Sequence, residues 1–396
     1  MDRPTRRELL AASAAAAAAA PLLARAADAA PPRPAVGLGH TGRGDYGHGL
    51  DAVFADRPGV ALAAVADPDE AGRAKAVART RAPRAYADYR EMLEKERPRL
   101  VSVAPRHADQ RLAMILAALR AGAHVLSEKP FVTAPAEADA ILAEAGARNL
   151  KIAVAHQMRL APPVVRLRQA VADGLLGDLL ALHAVGKQDA RAGGEDMMVL
   201  GTHLFDLLRL FAGDPEWCTA RVLVQGRDAT AADARATKDA VGPVAGDEID
   251  AQFAFPRGVL ATFTSRGRLR EAAGRWGVEL VGSKGRARIL CDIPPIVLVL
   301  KPGAWAPEGR ADAWAPLPGA EEDGKAGGAD AFAAANRRVV DDWLDAIAKG
   351  RQPACGGSDG AKAVEMAMAV YHAALGGGRV RFPLAVRTHP LAKAGG

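Results

Sequence analysis

Between residues 35 and 155, short apolar runs alternate with segments of helical periodicity, and few folds accommodate that pattern. Ala35–Leu38, Val60–Ala66, Leu100–Ala104, His124–Ser127 and Ile152–Ala155 read as buried strands. Ala71–Thr80, Asp88–Glu96, Asp109–Ala121 and Ala134–Ala147 read as the helices between them. Strand–helix alternation predicts a parallel sheet covered by helices on both faces. A chain of 396 residues leaves room for a second domain.

The first strand runs into Gly37-x-Gly39-x-x-Gly42. Glycines there let the backbone turn tightly and approach a pyrophosphate, which the following helix N-terminus then receives. Asp67 ends the second strand, 25 residues after Gly42. A carboxylate at that place accepts hydrogen bonds from ribose hydroxyls and repels a 2′-phosphate, so NAD is expected ahead of NADP. Asp67 also suits a helix N-cap before Pro68. The run ending at Ser127 is followed by Glu128-Lys129-Pro130, which puts a lysine at a strand's carboxyl end, where such sheets build their ligand crevice.

The net charge of +6 is spread along the chain, and no nucleic-acid partner is inferred. The three cysteines, Cys218, Cys291 and Cys355, are widely spaced and show no metal-ligand pattern, so no metal is expected. At the N-terminus, Arg6-Arg7 precedes an alanine-rich apolar stretch from Ala11 to Leu23. This resembles a twin-arginine export signal, with small-x-small cleavage sites at Ala24–Ala26 and Ala27–Ala29. The apolar stretch falls short of the ~20 residues a membrane span takes. The expectation is a leader over 1–29, then a soluble periplasmic or otherwise exported protein with no membrane contact after processing.

With these residues in place, the chain resembles the glucose–fructose oxidoreductase / inositol dehydrogenase / MocA family. The resemblance runs from about residue 34 to 391 and is most specific over Ala118–Pro130. His156-Gln157-Met158-Arg159-Leu160-Ala161-Pro162 resembles the family's crossover into its second domain. The resemblance implies a Rossmann domain over 30–155 and an α+β domain over 156–396. The second domain would hold a large, mostly antiparallel sheet whose open face forms homo-oligomers. Its C-terminal helices, within 332–375, would pack back toward the first domain. The local pattern agrees: Leu180–Gly186, Arg221–Val224, Ile249–Phe255, Val259–Thr264, Val278–Val281, Ala287–Leu290 and Ile296–Leu300 read as strands. Pro256–Gly258 and Ser283–Gly285 read as hairpin turns.

The resemblance further implies that Gly37, Gly39, Gly42, Asp67, Pro105, Glu128 and Arg159 contact the cofactor, and that Lys129 and His203 act on substrate. Family dehydrogenases carry Asp-x-Gly-x-His here, but this chain has Val199-Leu200-Gly201-Thr202-His203. A valine cannot orient an imidazole. Asp206, Asp196, Glu195 and Asp189 are the candidate substitutes. The loop carrying Lys187, Asp189, Arg191, Glu195 and Asp196 is a candidate polyol pocket. The expected activity is oxidation of a sugar, cyclitol or related polyol by an exported enzyme with tightly held cofactor. An NAD-dependent glycoside hydrolase with a redox-neutral cycle and a non-catalytic sugar-binding protein remain open alternatives.

Overall fold

The computed structural model describes residues 33–38, 48–54, 57–269, 276–300, 314–320 and 329–392. The expected leader, residues 1–29, lies outside them.

Six parallel strands form the first sheet: β1 (Arg33–Leu38), β2 (Val60–Ala66), β3 (Arg84–Tyr86), β4 (Leu100–Val103), β5 (His124–Ser127) and β6 (Ile152–Val154). Their order is β3-β2-β1-β4-β5-β6. This is the doubly wound dinucleotide order, in which the strand sequence reverses between β1 and β4. The connecting helices are α1 (Glu70–Thr80), α2 (Tyr89–Glu96), α3 (Arg111–Arg120) and α4 (Pro135–Ala147). Asp69 and Asp88 cap α1 and α2 by accepting the N–H groups of Gly72 and Arg90. Strand β3 has no counterpart in the sequence reading. It is three residues long and lies at the sheet edge, where burial imposes little apolar pattern.

Helix α5 (Pro162–Ala172) leads into the second sheet, built from β7 (Leu179–Val185), β8 (Trp217–Val224), β9 (Arg227–Asp228), β10 (Glu248–Ala254), β11 (Leu260–Arg266), β12 (Gly277–Gly282), β13 (Arg286–Leu290), β14 (Ile296–Leu300), β15 (Trp314–Pro316) and β16 (Val380–Arg381). The order is β15-β14-β13-β12-β7-β11-β10-β8-β16, with β9 on β8. Among these pairs only β7 and β11 run parallel. The two expected hairpin turns join β10 to β11 and β12 to β13. One face is apolar: Leu182, Phe253, Ala261, Phe263 and Leu280 are buried under α6 (Thr202–Ala212). Phe205 of α6 meets Phe253 and Phe263 at ring-centroid distances of 5.5 and 5.0 Å. The other face carries Val185, Thr262 and Thr264 without full burial.

The last two helices, α7 (Ala329–Lys349) and α8 (Gly357–Gly376), return to the first domain as expected. Val339, Val340 and Trp343 of α7 share one apolar cluster with Ala35, Leu100, Leu126 and Ala153 of the parallel sheet. The opposite sheet face, with Val36, Val101 and Val125, packs with α3 and α4. Trp343 is fully buried, and its Nε1 donates to the Lys151 carbonyl at 3.2 Å. Trp343→Ala should cost about 3–5 kcal/mol of stability, measured as a lower urea midpoint of the nucleotide-binding domain.

Candidate active site

The crevice opens beyond the carboxyl ends of β1 and β4. Gly37 sits near the end of β1, where a Cβ would come within 3.1 Å of the Asp51 carbonyl oxygen. Its absence lets the turn Leu50–Ala52 close against the strand, and Ser102 Oγ donates to the Leu50 carbonyl at 2.7 Å. Gly39 and Gly42 lie outside the described residues. Asp67 follows β2 and is fully buried, with Oδ1 accepting the Asp69 N–H at 2.9 Å. Arg73 Nη1 donates to the Asp67 carbonyl at 2.7 Å. Pro105 follows β4, and its carbonyl accepts Arg111 Nη2 at 2.6 Å. Arg111 Nη1 donates to the Pro130 carbonyl, tying the loop after β4 to the loop after β5. These residues fit a dinucleotide. Gly37 keeps the first turn close, Asp67 supplies a carboxylate at the end of β2, and Pro105 borders the reversal point. Asp67, Pro105 and the backbone beyond Gly37 would hold NAD.

Glu128 and Lys129 are both buried. The Glu128 carboxylate accepts His48 Nδ1 at 2.6 Å, the His48 N–H at 3.2 Å and the Lys129 N–H at 2.8 Å. Burial pushes its pKa up, but the charges of His48, Lys129 and Arg111 outweigh that and hold it at about 2. Glu128 therefore organises the chain beside the crevice, a role absent from the sequence reading. Lys129 Nζ donates to the Val199 carbonyl at 2.8 Å. Burial lowers the Lys129 pKa to about 8, against the pull of Glu128 and with the help of Arg106 and Arg191. His203 is held well below its ordinary value, first by burial and then by Lys129, His156 and His48. At neutral pH the site thus joins an ammonium to an uncharged imidazole. Trp276 lies 6.1 Å from the His203 ring.

The expected helpers of His203 go elsewhere. Asp206 turns away to Arg159 Nε at 3.0 Å and His156 Nδ1 at 3.6 Å. Asp196 is fully buried and accepts Ser265 Oγ at 2.6 Å and the Gln188 N–H at 3.1 Å, fixing its own loop. Glu195 pairs with Arg235 at 3.3 Å. Asp189 pairs with Arg191 at 2.5 Å and Lys187 at 3.7 Å. Of that loop, Arg191 is the residue whose charge reaches Lys129. Arg159 is a structural tie: it also reaches Asp359 Oδ2 at 3.0 Å and the Ala354 carbonyl. Two residues absent from the sequence reading join the site. Arg106 follows Pro105, and its Nε donates to Asp239 Oδ2 at 3.0 Å across 133 residues of chain. No local pattern marks such a contact.

Fold and site together define a dinucleotide-binding oxidoreductase. Residues 36–156 match the oxidoreductase family with an NAD-binding Rossmann fold, and residues 164–288 match the Gfo/Idh/MocA C-terminal domain. The chain belongs to the Gfo/Idh/MocA family. It is 29% identical over 219 residues to trans-1,2-dihydrobenzene-1,2-diol dehydrogenase of Bos taurus, covering 52% of this chain and 59% of that one. It is 24% identical over 214 residues to levoglucosan dehydrogenase of Pseudarthrobacter phenanthrenivorans, covering 48% and 54%. The chain thus spans little more than half the length of these relatives. Among solved structures, levoglucosan dehydrogenase in complex with NADH and levoglucosan superposes with a TM-score of 0.70 at 19% identity, covering 88% of this chain and 99% of that one. An oxidoreductase domain protein from Kribbella flavida gives 0.70 at 23%, covering 89% and 100%. These superpositions are likenesses of fold.

A carboxylate held at about 2 stabilises the fold fully above its ordinary value near 4.5, and that stability is lost as pH falls through about 2. Glu128→Gln should therefore flatten the decline in urea midpoint between pH 4.5 and the wild type's acid limit.

Proposed function

We propose that this protein is a dehydrogenase that oxidises a hydroxyl of a sugar, cyclitol or related polyol. The observation that carries the reading is the pairing of a buried ammonium with a neutral imidazole. Lys129 Nζ rests on the Val199 carbonyl, and His203 follows one helical turn later. Bound NAD supplies the hydride acceptor. Lys129 holds and polarises the reacting oxygen. His203, uncharged at neutral pH, takes the hydroxyl proton as general base. Burial of both groups excludes bulk water and strengthens the pull of the Lys129 charge on the reacting oxygen. The names of the relatives, a levoglucosan dehydrogenase and a diol dehydrogenase, support a polyhydroxylated substrate.

We also propose export with the cofactor already bound, on the strength of Arg6-Arg7 and the apolar stretch behind it. The twin-arginine route carries folded proteins, and no free nicotinamide pool awaits outside, so the cofactor would be regenerated in place, by a second substrate or by a redox-neutral cycle. The partly exposed sheet face with Val185 and Leu260 is the surface through which copies would associate. No helix among the described residues is long and apolar enough to cross a membrane.

Lys129→Ala and His203→Ala should each lower kcat about 10²–10⁴-fold while NAD binding, read by calorimetry, persists. Full activity in His203→Ala would overturn the base assignment. In the wild type, kcat/KM should be level from pH 6.5 to about 7, where His203 is already deprotonated and Lys129 still charged, and should reach half its plateau near pH 8, the Lys129 pKa of about 8. It should fall beyond that as Lys129 loses its proton. A pH–rate series checks the plateau. For location, replacing Arg6 and Arg7 together by lysine should leave the precursor in the cytoplasm with its leader intact. Normal secretion of that variant, followed by cell fractionation, would remove the export proposal.

A further inference from the structure

His156 follows β6 and is 1% exposed. Neither of its ring nitrogens has a hydrogen-bond partner among the described residues. Folds keep few buried polar groups unpaired, and those that persist have a reason in chemistry or in unseen solvent. The neighbours supply one. On one side the ring meets that of His203 edge-on, at a centroid distance of 5.4 Å and an interplanar angle of 64°. On the other, Nδ1 lies 3.6 Å from Asp206 Oδ1, whose partner oxygen lies 3.0 Å from Arg159 Nε. Arg159 is itself anchored on Asp359. Asp206 Oδ1 also has no hydrogen-bond partner among the described residues, so its charge is directed at His156. The groups form one line: His203, His156, Asp206, Arg159.

We propose that His156 is the positioning residue of His203, filling from the loop after β6 the supporting place that a carboxylate at Val199 would fill from the turn before α6. This rests on the reading of His203 as general base. Asp206 favours the proton on His156 Nδ1 and fixes the ring. The ring edge of His156 then sets the plane of His203 and opposes premature charging of it. The groups facing His203 are Lys129, His48 and His156. Those facing His156 are Asp206, Arg159 and His203, with Cys355 Sγ on its carbonyl oxygen at 3.3 Å. Asp206 thus supports His203, but through a second imidazole rather than directly.

The test uses the full-length protein with NAD. His156→Phe keeps the volume and removes the imidazole, and His156→Gln keeps a donor. His156→Phe should lower kcat at least ~10-fold with KM and NAD affinity unchanged, and His156→Gln should recover part of the loss. Side-chain ¹⁵N NMR reads the titration of His203 without turnover, with His203→Ala for assignment. Loss of the His156 ring, one of the groups that hold the His203 pKa down, should move that titration upward. Wild-type kcat with an unmoved His203 titration in His156→Phe would overturn the proposal. So would parallel loss of kcat, NAD affinity and melting temperature in both variants, which marks a packing role alone. If His156→Phe does not fold, the titration in His156→Gln decides by the same criterion. If the wild type reduces no NAD with any polyol, the dehydrogenase reading fails, while the NMR titration still decides whether the two histidines are coupled.

Discussion

A single buried guanidinium holds the crevice in shape. Arg111 opens α3 and is 1% exposed. A cation at a helix N-terminus works against the helix dipole, and burial lowers its pKa to about 10. Its position is explained by what it binds: the carbonyls of Pro105, Arg106 and Pro130. These belong to the loops after β4 and β5, one bordering the cofactor crevice and the other carrying Lys129. A buried ion is tolerated when its charge is answered, and the nearby Glu128 carboxylate answers it. Glu128 in turn seats His48. The loop after β4, Lys129 and the chain at His48 are thereby registered through one pair of opposite charges.

Much of this fold was legible because buried parallel strands are continuous apolar runs. Val60–Ala66 and His124–Ser127 could be read with their ends in place. Among the strands, those that escaped are short: Arg84–Tyr86, Arg227–Asp228, Trp314–Pro316 and Val380–Arg381. At the site, Lys129 and His203 stood out by motif and the structure brings their surroundings together. Ionisable residues read by proximity in sequence fared less well. Asp196 finds Ser265 across 69 residues and Glu195 finds Arg235 across 40. A carboxylate's partner is set by tertiary packing, which local sequence does not encode. Arg111 and His156 gave no signal for the same reason. One reads as an ordinary helix residue, the other as part of a crossover.

Val199 shows how a motif can change its side chain and keep its place. The carboxylate is gone, but the backbone carbonyl there receives Lys129. That carbonyl needs no particular side chain, so the lysine's position is insensitive to the substitution. The imidazole's environment is not. Burial first, and then Lys129, His156 and His48 around it, favour the uncharged ring. Two ion pairs, Arg106–Asp239 and Arg191–Asp189, stand close enough to Lys129 to act on its charge.

The return of α7 to the parallel sheet gives the chain an unusual order of assembly. Ala35, Leu100, Leu126 and Ala153 are all synthesised early, yet the residues that cover them, Val339 to Trp343, emerge near the end. A ribosome-bound chain that has completed the whole nucleotide-binding segment still exposes one oily face of it. That face is a target for chaperones until α7 has left the tunnel. A translation product cut short before α7 would therefore not be a smaller working domain but an adhesive fragment, because α7 is the seal on that face.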